Sequence, residues 1–174
     1  SRLHGIQTWM ALPDDQEKRE PAFVHYPAAD LPELQVNGVS VRVIMGKAFG
    51  RTSPVTAHSP TLYLECRMPA GTTITLPGGY EEQGVYLVSG GIRVDQRPFS
   101  GSTMVVAGPG KALTLEADQE SHLMVIGGAA LGHRHIWWNF VASSKEAIEQ
   151  AKRDWQQGRF GSVPGEYEFI PLPE

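Results

Sequence analysis

The sequence has one cysteine, Cys66, so no intramolecular disulfide can form. A lone cysteine fits a reducing compartment, and the expected location is the cytoplasm. No apolar run is long enough to cross a bilayer as a helix, so no membrane partner is expected. Charge of either sign is not in large excess. A formal net charge of −4 gives no reason to expect nucleic acid as a partner. Aromatic residues are only 9%, and helical periodicity is scarce. Internal repeats and low-complexity tracts are absent. The 19 glycines and 13 prolines instead divide the chain into short pieces. What remains is 174 residues with 41% apolar and 20% charged side chains, ordinary for one globular domain.

Those pieces read mostly as strands. Leu3 to Ala11 and Phe23 to Tyr26 carry β-prone residues without a helical stripe. Asn37-Gly38 lies between Leu34–Val36 and Val39–Met45, the strongest short hairpin signal, because both turn residues need positive φ. Val39, Val41, Val43 and Met45 share one face, as do Leu62, Leu64 and Cys66 in the next strand. Cys66 is therefore expected to be a buried, inert thiol. Thr103 to Ala107 is almost all apolar and reads as a buried strand, after a turn near Arg97-Pro98. Short strands at spacings of ~8–12 residues predict a sandwich or barrel. After Phe140 the pattern changes. Ser143 to Glu146 reads as a capping box opening a helix over 144–157, with Ile148 and Trp155 facing inward. Lys145–Glu149 and Glu149–Arg153 are its expected ion pairs. The tail from Val163 is expected to lie extended along the body.

The stretch Leu76 to Gly91 is a turn, a short buried strand and a tight glycine turn into Ile92–Asp95. This is the rhythm of the metal-binding hairpin of a cupin. A metal-loaded cupin carries His-x-His and a Glu there, at slots that fall near Pro77, Gly79 and Gln83. None of these is a good ligand. In the second ligand region, Gly101 to Leu113, Ser102 stands for the Asp and Ala112 or Leu113 for the His. The fold expectation is all-β: a cupin-type double-stranded barrel, or jelly roll, with one C-terminal helix. Residues 1–22 read as an inter-domain strand and linker, 23–142 as the barrel, and 143–174 as helix and tail. Neither a metal site nor a catalytic residue is expected in this chain.

The residues left as a candidate pocket or interface are Gln83, Val85, His133, His135, Trp137 and Trp138. His133 and His135 could share one ion from one strand face, or form a basic loop or interface. Trp137, Trp138 and Phe140 form either a stacking wall for a small aromatic ligand or packing between sheet and helix. Glu81 and Glu82, adjacent along an extended chain, point to opposite sides and make no catalytic carboxylate pair.

Several segments together resemble the pirin family: Leu3-His-Gly-Ile-Gln-Thr-Trp9 with Leu12-Pro13, Val41 to Gly46 with Phe49-Gly50 and Ser53-Pro54, and Glu146 to Ala151 with Gly158-Arg-Phe160. The resemblance implies a bicupin, of which this chain is similar to the C-terminal barrel plus the joining segment. In that family iron sits in the N-terminal barrel, on three His and one Glu, so no family ligand carries over to a residue here. Animal members are described as nuclear transcription co-regulators, bacterial ones as flavonol (quercetin) 2,3-dioxygenases. The implied partner is the N-terminal barrel of a longer parent, and the expected role here is structural or regulatory. The alternative is a stand-alone module that binds a small molecule or a protein. The opening Ser1-Arg2-Leu3, without Met, reads as a trimmed piece of something longer or a processed start. A barrel strand lacking its partner would leave an edge on which copies self-associate.

Overall fold

The computed structural model describes residues 5–173. Leu3 and His4, which open the first expected strand, lie outside them. The chain divides into two compact units, one of residues 20–130 and one whose described residues are 5–19 and 131–173. The hairpin region 131–142, placed with the barrel from the sequence, thus groups with the helix.

Residues 20–130 build the barrel. A 3-10 turn at Ala28–Asp30 leads into β1 (Glu33–Val36), β2 (Val39–Met45), β3 (Lys47–Ala48), β4 (Arg51–Thr52), β5 (Thr61–Met68), β6 (Thr73–Thr75), β7 (Glu82–Ser89), β8 (Gly91–Val94), β9 (Arg97–Ser100), β10 (Thr103–Val106), β11 (Thr114–Ala117) and β12 (Ser121–Gly128). One sheet runs β1-β2-β5-β12-β7-β10, a second β6-β11-β8-β9, and β3 pairs with β4. Every pairing is antiparallel.

Side-chain alternation sets the two faces. Across the large sheet the register aligns Val105, Val85, Val125, Leu64 and Val43. Of these all but Val105 are fully buried, and they meet Ile74, Ile92 and Leu115 of the small sheet in one core. Each such aliphatic contributes about 1.5–3 kcal/mol by leaving water. The outward row one step along is Met104, Tyr86, Met124, Glu65, Arg42 and Glu33. It changes from apolar to charged across the sheet.

The Asn37-Gly38 turn forms as expected, with φ of 50° and 81°. Other expectations are corrected. Gly5–Ala11 and Phe23–Tyr26 form no strand. Their residue types suit a ladder, but an extended chain becomes a strand only where another backbone pairs with it. The turn expected near Arg97-Pro98 sits instead at Asp95-Gln96, both at positive φ. Pro98 lies in β9 at the edge of the small sheet, where its missing N–H costs no ladder bond. β10 is likewise an edge strand and not a buried one, with Met104 46% and Val106 72% exposed.

The other unit holds a hairpin of β13 (His135–Trp137) and β14 (Phe140–Ala142) and a helix, α1 (Lys145–Gln156). The helix packs on the hairpin and buries Ile148. Its cap is one residue later than expected. Ser144 Oγ accepts from the Ala147 amide at 3.2 Å, and Ser143 Oγ instead donates to Glu17 at 2.8 Å. The ion pair seen on the helix is Glu149–Lys152 at 2.6 Å, one turn on a different diagonal from the expected pairs.

Candidate functional site

The stretch where a cupin carries its ligands is held shut by its own hydrogen bonds. Gln83 opens the inward face of β7 and is buried. Its Nε2 donates to the Pro77 carbonyl at 3.2 Å. Gly127 on β12 lies directly opposite, where a Cβ would come within 3.0 Å of the Glu82 carbonyl oxygen. Tyr80 Oη donates to the Lys47 carbonyl at 3.0 Å. The Leu76 amide donates to the Leu113 carbonyl at 2.9 Å, so the segment entering β11, with the would-be histidine position, is pinned to the segment leaving β6, which bears Pro77. Leu113 itself is buried. The Glu81 carboxylate accepts from the Ala130 amide at 3.1 Å.

Iron is the metal the resemblance brings to mind, and these residues do not fit it. The inner positions offer Gln83, Val85, Leu87, Leu113 and Leu115, one amide among aliphatics. Among the described residues no three or more His, Cys, Asp or Glu side chains converge. Cys66 faces the same interior. Burial pushes its thiol up to about 12, with the Glu65 carboxylate adding to the effect, so it holds its proton and is no thiolate ligand or nucleophile.

At the glycine turn that ends β7, Ser121 is the organising residue, and the sequence carried no signal for it beyond a polar residue at a strand start. Its buried Oγ accepts from the Gly91 amide at 3.0 Å and lies 2.8 Å from the Gln119 carbonyl, to which it donates. Gly90, at φ 95°, passes so close that a Cβ there would lie 2.4 Å from Ser121 Oγ. No other residue fits.

On the charged half of the outer sheet face, Glu65 gathers Arg42 at 2.7 Å, Arg67 at 2.8 Å and His122 at 3.0 Å. Arg42 also reaches Glu33 at 2.8 Å. Its hydrogen bond, and then that of Ser40, hold the Glu33 carboxyl below its ordinary range. Every carboxylate in this ladder is matched, which suits a structural surface better than a general acid or base.

In the second unit, His133 and His135 lie edge to face with ring centroids 4.5 Å apart. Between them Arg134 turns away and is nearly buried. Its Nη2 reaches the Leu12 carbonyl at 3.0 Å and Asp14 at 2.7 Å, and its Nη1 the Leu131 carbonyl at 2.7 Å. Trp138 packs edge-on to Trp155 at 5.1 Å and to Phe140 at 5.6 Å. Lys152 sits 4.2 Å over the Trp137 ring. Both tryptophans therefore make intramolecular packing contacts. An open cleft of about 340 Å³ runs beside Trp9, Leu12, Glu17 and Asn139.

Comparison with known proteins adds the following. A family model described as the pirin C-terminal cupin domain matches residues 63–161. The chain is 41% identical over 175 residues to a pirin-like protein of Caulobacter vibrioides, covering 99% of this chain and 61% of that protein. It is 35% identical over 166 residues to a putative quercetin 2,3-dioxygenase of Pseudomonas aeruginosa, covering 92% and 52%. The structure is similar to that of a quercetin 2,3-dioxygenase from Acinetobacter baumannii, with TM-score 0.84 and 28% identity over 95% of this chain and 57% of that one. The chain thus spans about half to three-fifths of the length of the relatives it matches.

Proposed function

This chain belongs to the pirin family through its C-terminal cupin domain, and from that premise we propose that it is the metal-free supporting barrel of a two-barrel protein. In this reading iron and the chemistry belong to a companion N-terminal barrel. The substrate class is a flavonol such as quercetin, after the relatives that carry that activity in their names. The observation that carries the reading is the Gln83 amide bonded to the Pro77 carbonyl, where a metal-binding barrel would present donors. Interior aliphatics on β7 and β11 fill the remaining space. Such an interior contributes stiffness, not chemistry. It anchors the outer surfaces against which another lobe is held.

The test compares the 174-residue chain with the same chain joined to the part of the Caulobacter relative outside the matched 61%. Iron content and quercetin consumption under oxygen are measured for both. The expected result is iron and turnover only in the joined protein. Stoichiometric iron in the chain alone would falsify the proposal.

A further inference from the structure

The two barrel sheets end in four edge strands, β1 and β10 on the large sheet and β6 and β9 on the small one. An edge strand carries unpaired N–H and C=O groups and can take up another strand, so folded chains guard it with charge, proline or brevity. Three of these edges are guarded. The exposed side chains of β1 are Glu33 and Gln35, with Glu33 paired to Arg42. β6 has three residues and exposes Thr73 and Thr75. β9 exposes Arg97 and Pro98. β10 has no such device. It exposes Met104 by 46% and Val106 by 72%, its ladder with β7 runs without a bulge, and residues 98–110 carry no charged side chain.

The backbone of β10 is placed to receive a strand. In an antiparallel ladder every second residue bonds to the neighbouring strand, and the residues between direct their N–H and C=O groups away from it. The Ala107 amide donates to the Gln83 carbonyl at 2.8 Å, and the register sets Val105 opposite Val85. Val105 and Ala107 therefore bond toward β7, and the backbone groups of Met104 and Val106 point out from the sheet. These same two residues carry the exposed side chains. Behind them Met104 and Ile126, itself 36% exposed, meet over Gly84, where an added Cβ would lie 3.3 Å from Met104 Sδ and 3.8 Å from Ile126 Cγ1. The edge is thus apolar in depth as well as along its length.

This edge is complementary to itself. Two copies laid antiparallel about Val105 set Met104 of each opposite Val106 of the other, and each such pair can exchange N–H···O bonds in both directions. On the flanks Ser102 comes opposite Gly108 and Gly101 opposite Pro109, so no like charges meet. A two-fold contact needs one surface that fits itself, and the alternation of Met104 and Val106 meets that condition. We infer that β10 is the contact through which two copies of this chain pair edge to edge, joining their large sheets into one continuous sheet. The edge is four residues long, small against the ~1,200 Å² that a stable interface buries, so the pair forms only at micromolar concentrations and above. The contact lies wholly within residues 20–130 and does not depend on a companion barrel.

Sedimentation velocity and hydrogen exchange of the 174-residue chain at ~5 and ~500 µM test this. The mass is expected to rise from 19.0 kDa toward twice that value. The amides of Met104 and Val106 are expected to exchange ~10-fold or more slowly at the higher concentration, with those of β5 and β12 unchanged. Val106→Lys puts a charge at the two-fold contact and is expected to hold the chain at the mass of one copy at both concentrations; the side chain is exposed, so the core stays intact. Val106→Pro removes the outward N–H without removing a bond to β7 and is expected to do the same. A single-copy mass in the unaltered chain at both concentrations overturns the inference. So does a paired mass that Val106→Lys leaves unchanged, or protection that appears over 131–173 in place of β10. In the protein joined to its companion barrel, protection of β10 that is equal at both concentrations gives the edge to that barrel and also overturns it.

Discussion

Arg134 Nη2 lies 2.7 Å from Asp14 Oδ1 although 120 residues separate them in sequence. The same guanidinium group holds the carbonyls of Leu12 and Leu131, and its Nε faces Glu17 at 3.4 Å. One nearly buried cation thus ties the segment before the barrel to the segment after it. Arg134→Met removes the donor to the Leu12, Leu131 and His133 carbonyls and to the Asp14 carboxylate. The expected cost is about 2–3 kcal/mol, felt as local opening of residues 5–19 and 131–142. Hydrogen exchange checks it: faster exchange there, with β5 and β12 unaffected, is the expected pattern. Uniform acceleration across the chain would mean the residue serves global stability.

Ser121→Ala removes the acceptor for the buried Gly91 amide and costs about 1–3 kcal/mol. Ser121→Thr is not a rescue, because Gly90 already passes close to Oγ. Urea denaturation of the three forms reads this directly. A serine-to-alanine change without loss of stability contradicts the assigned role.

Trp138 sits in the β13–β14 turn at φ 48°, a conformation bulky residues rarely adopt. Its edge-on contacts with Trp155 and Phe140 compensate for that strain. Trp138→Gly relieves about 1 kcal/mol of backbone strain and loses about 3–5 kcal/mol of ring packing, for a net loss near 2–4 kcal/mol. Trp138→Phe keeps a ring and falls between. Near-ultraviolet circular dichroism during thermal melting gives the order; a glycine variant as stable as wild type refutes it.

Cys66 makes stability depend on alkaline pH. Its thiol is raised to about 12 in the folded chain, from an ordinary value of 9.0. Below that ordinary value both states keep the proton and the group contributes no slope. Above it the unfolded chain loses the proton first, so stability falls as pH rises toward the folded value, by ~1.4 kcal/mol per unit. Cys66→Val removes this component. The stability difference between wild type and variant is expected to shift by about 2 kcal/mol against wild type between pH ~8 and pH ~10.5. A difference independent of pH would show that the thiol does not ionise in this way.

Much of the barrel was legible in the sequence because its signals are local. Period-two alternation put Val39, Val41, Val43, Leu62, Leu64 and Cys66 on the inside, where they are fully buried. Asn37-Gly38 specified its turn through its own backbone preference. The residue types at Pro77, Gly79 and Gln83 are likewise read directly from the chain, since ligand chemistry belongs to residue type.

Other features depended on which backbone became a neighbour of which, and only the tertiary structure decided them. An apolar run has the same pattern at a sheet's edge as at its centre, so Thr103–Val106 read as buried and is half exposed. Gly5–Ala11 and Phe23–Tyr26 have strand-forming residues but form no strand. The stretch before β7 is tied down by Gln83 to Pro77 and Tyr80 to Lys47, and the turn after β7 by Ser121 to Gly91. A hydrogen bond between distant residues leaves no periodic trace, because its partner is set by the fold and not by spacing. Arg134 is the clearest case: in sequence it stands between His133 and His135, and its neighbours in space make it the clasp of residues 5–19 to 131–134.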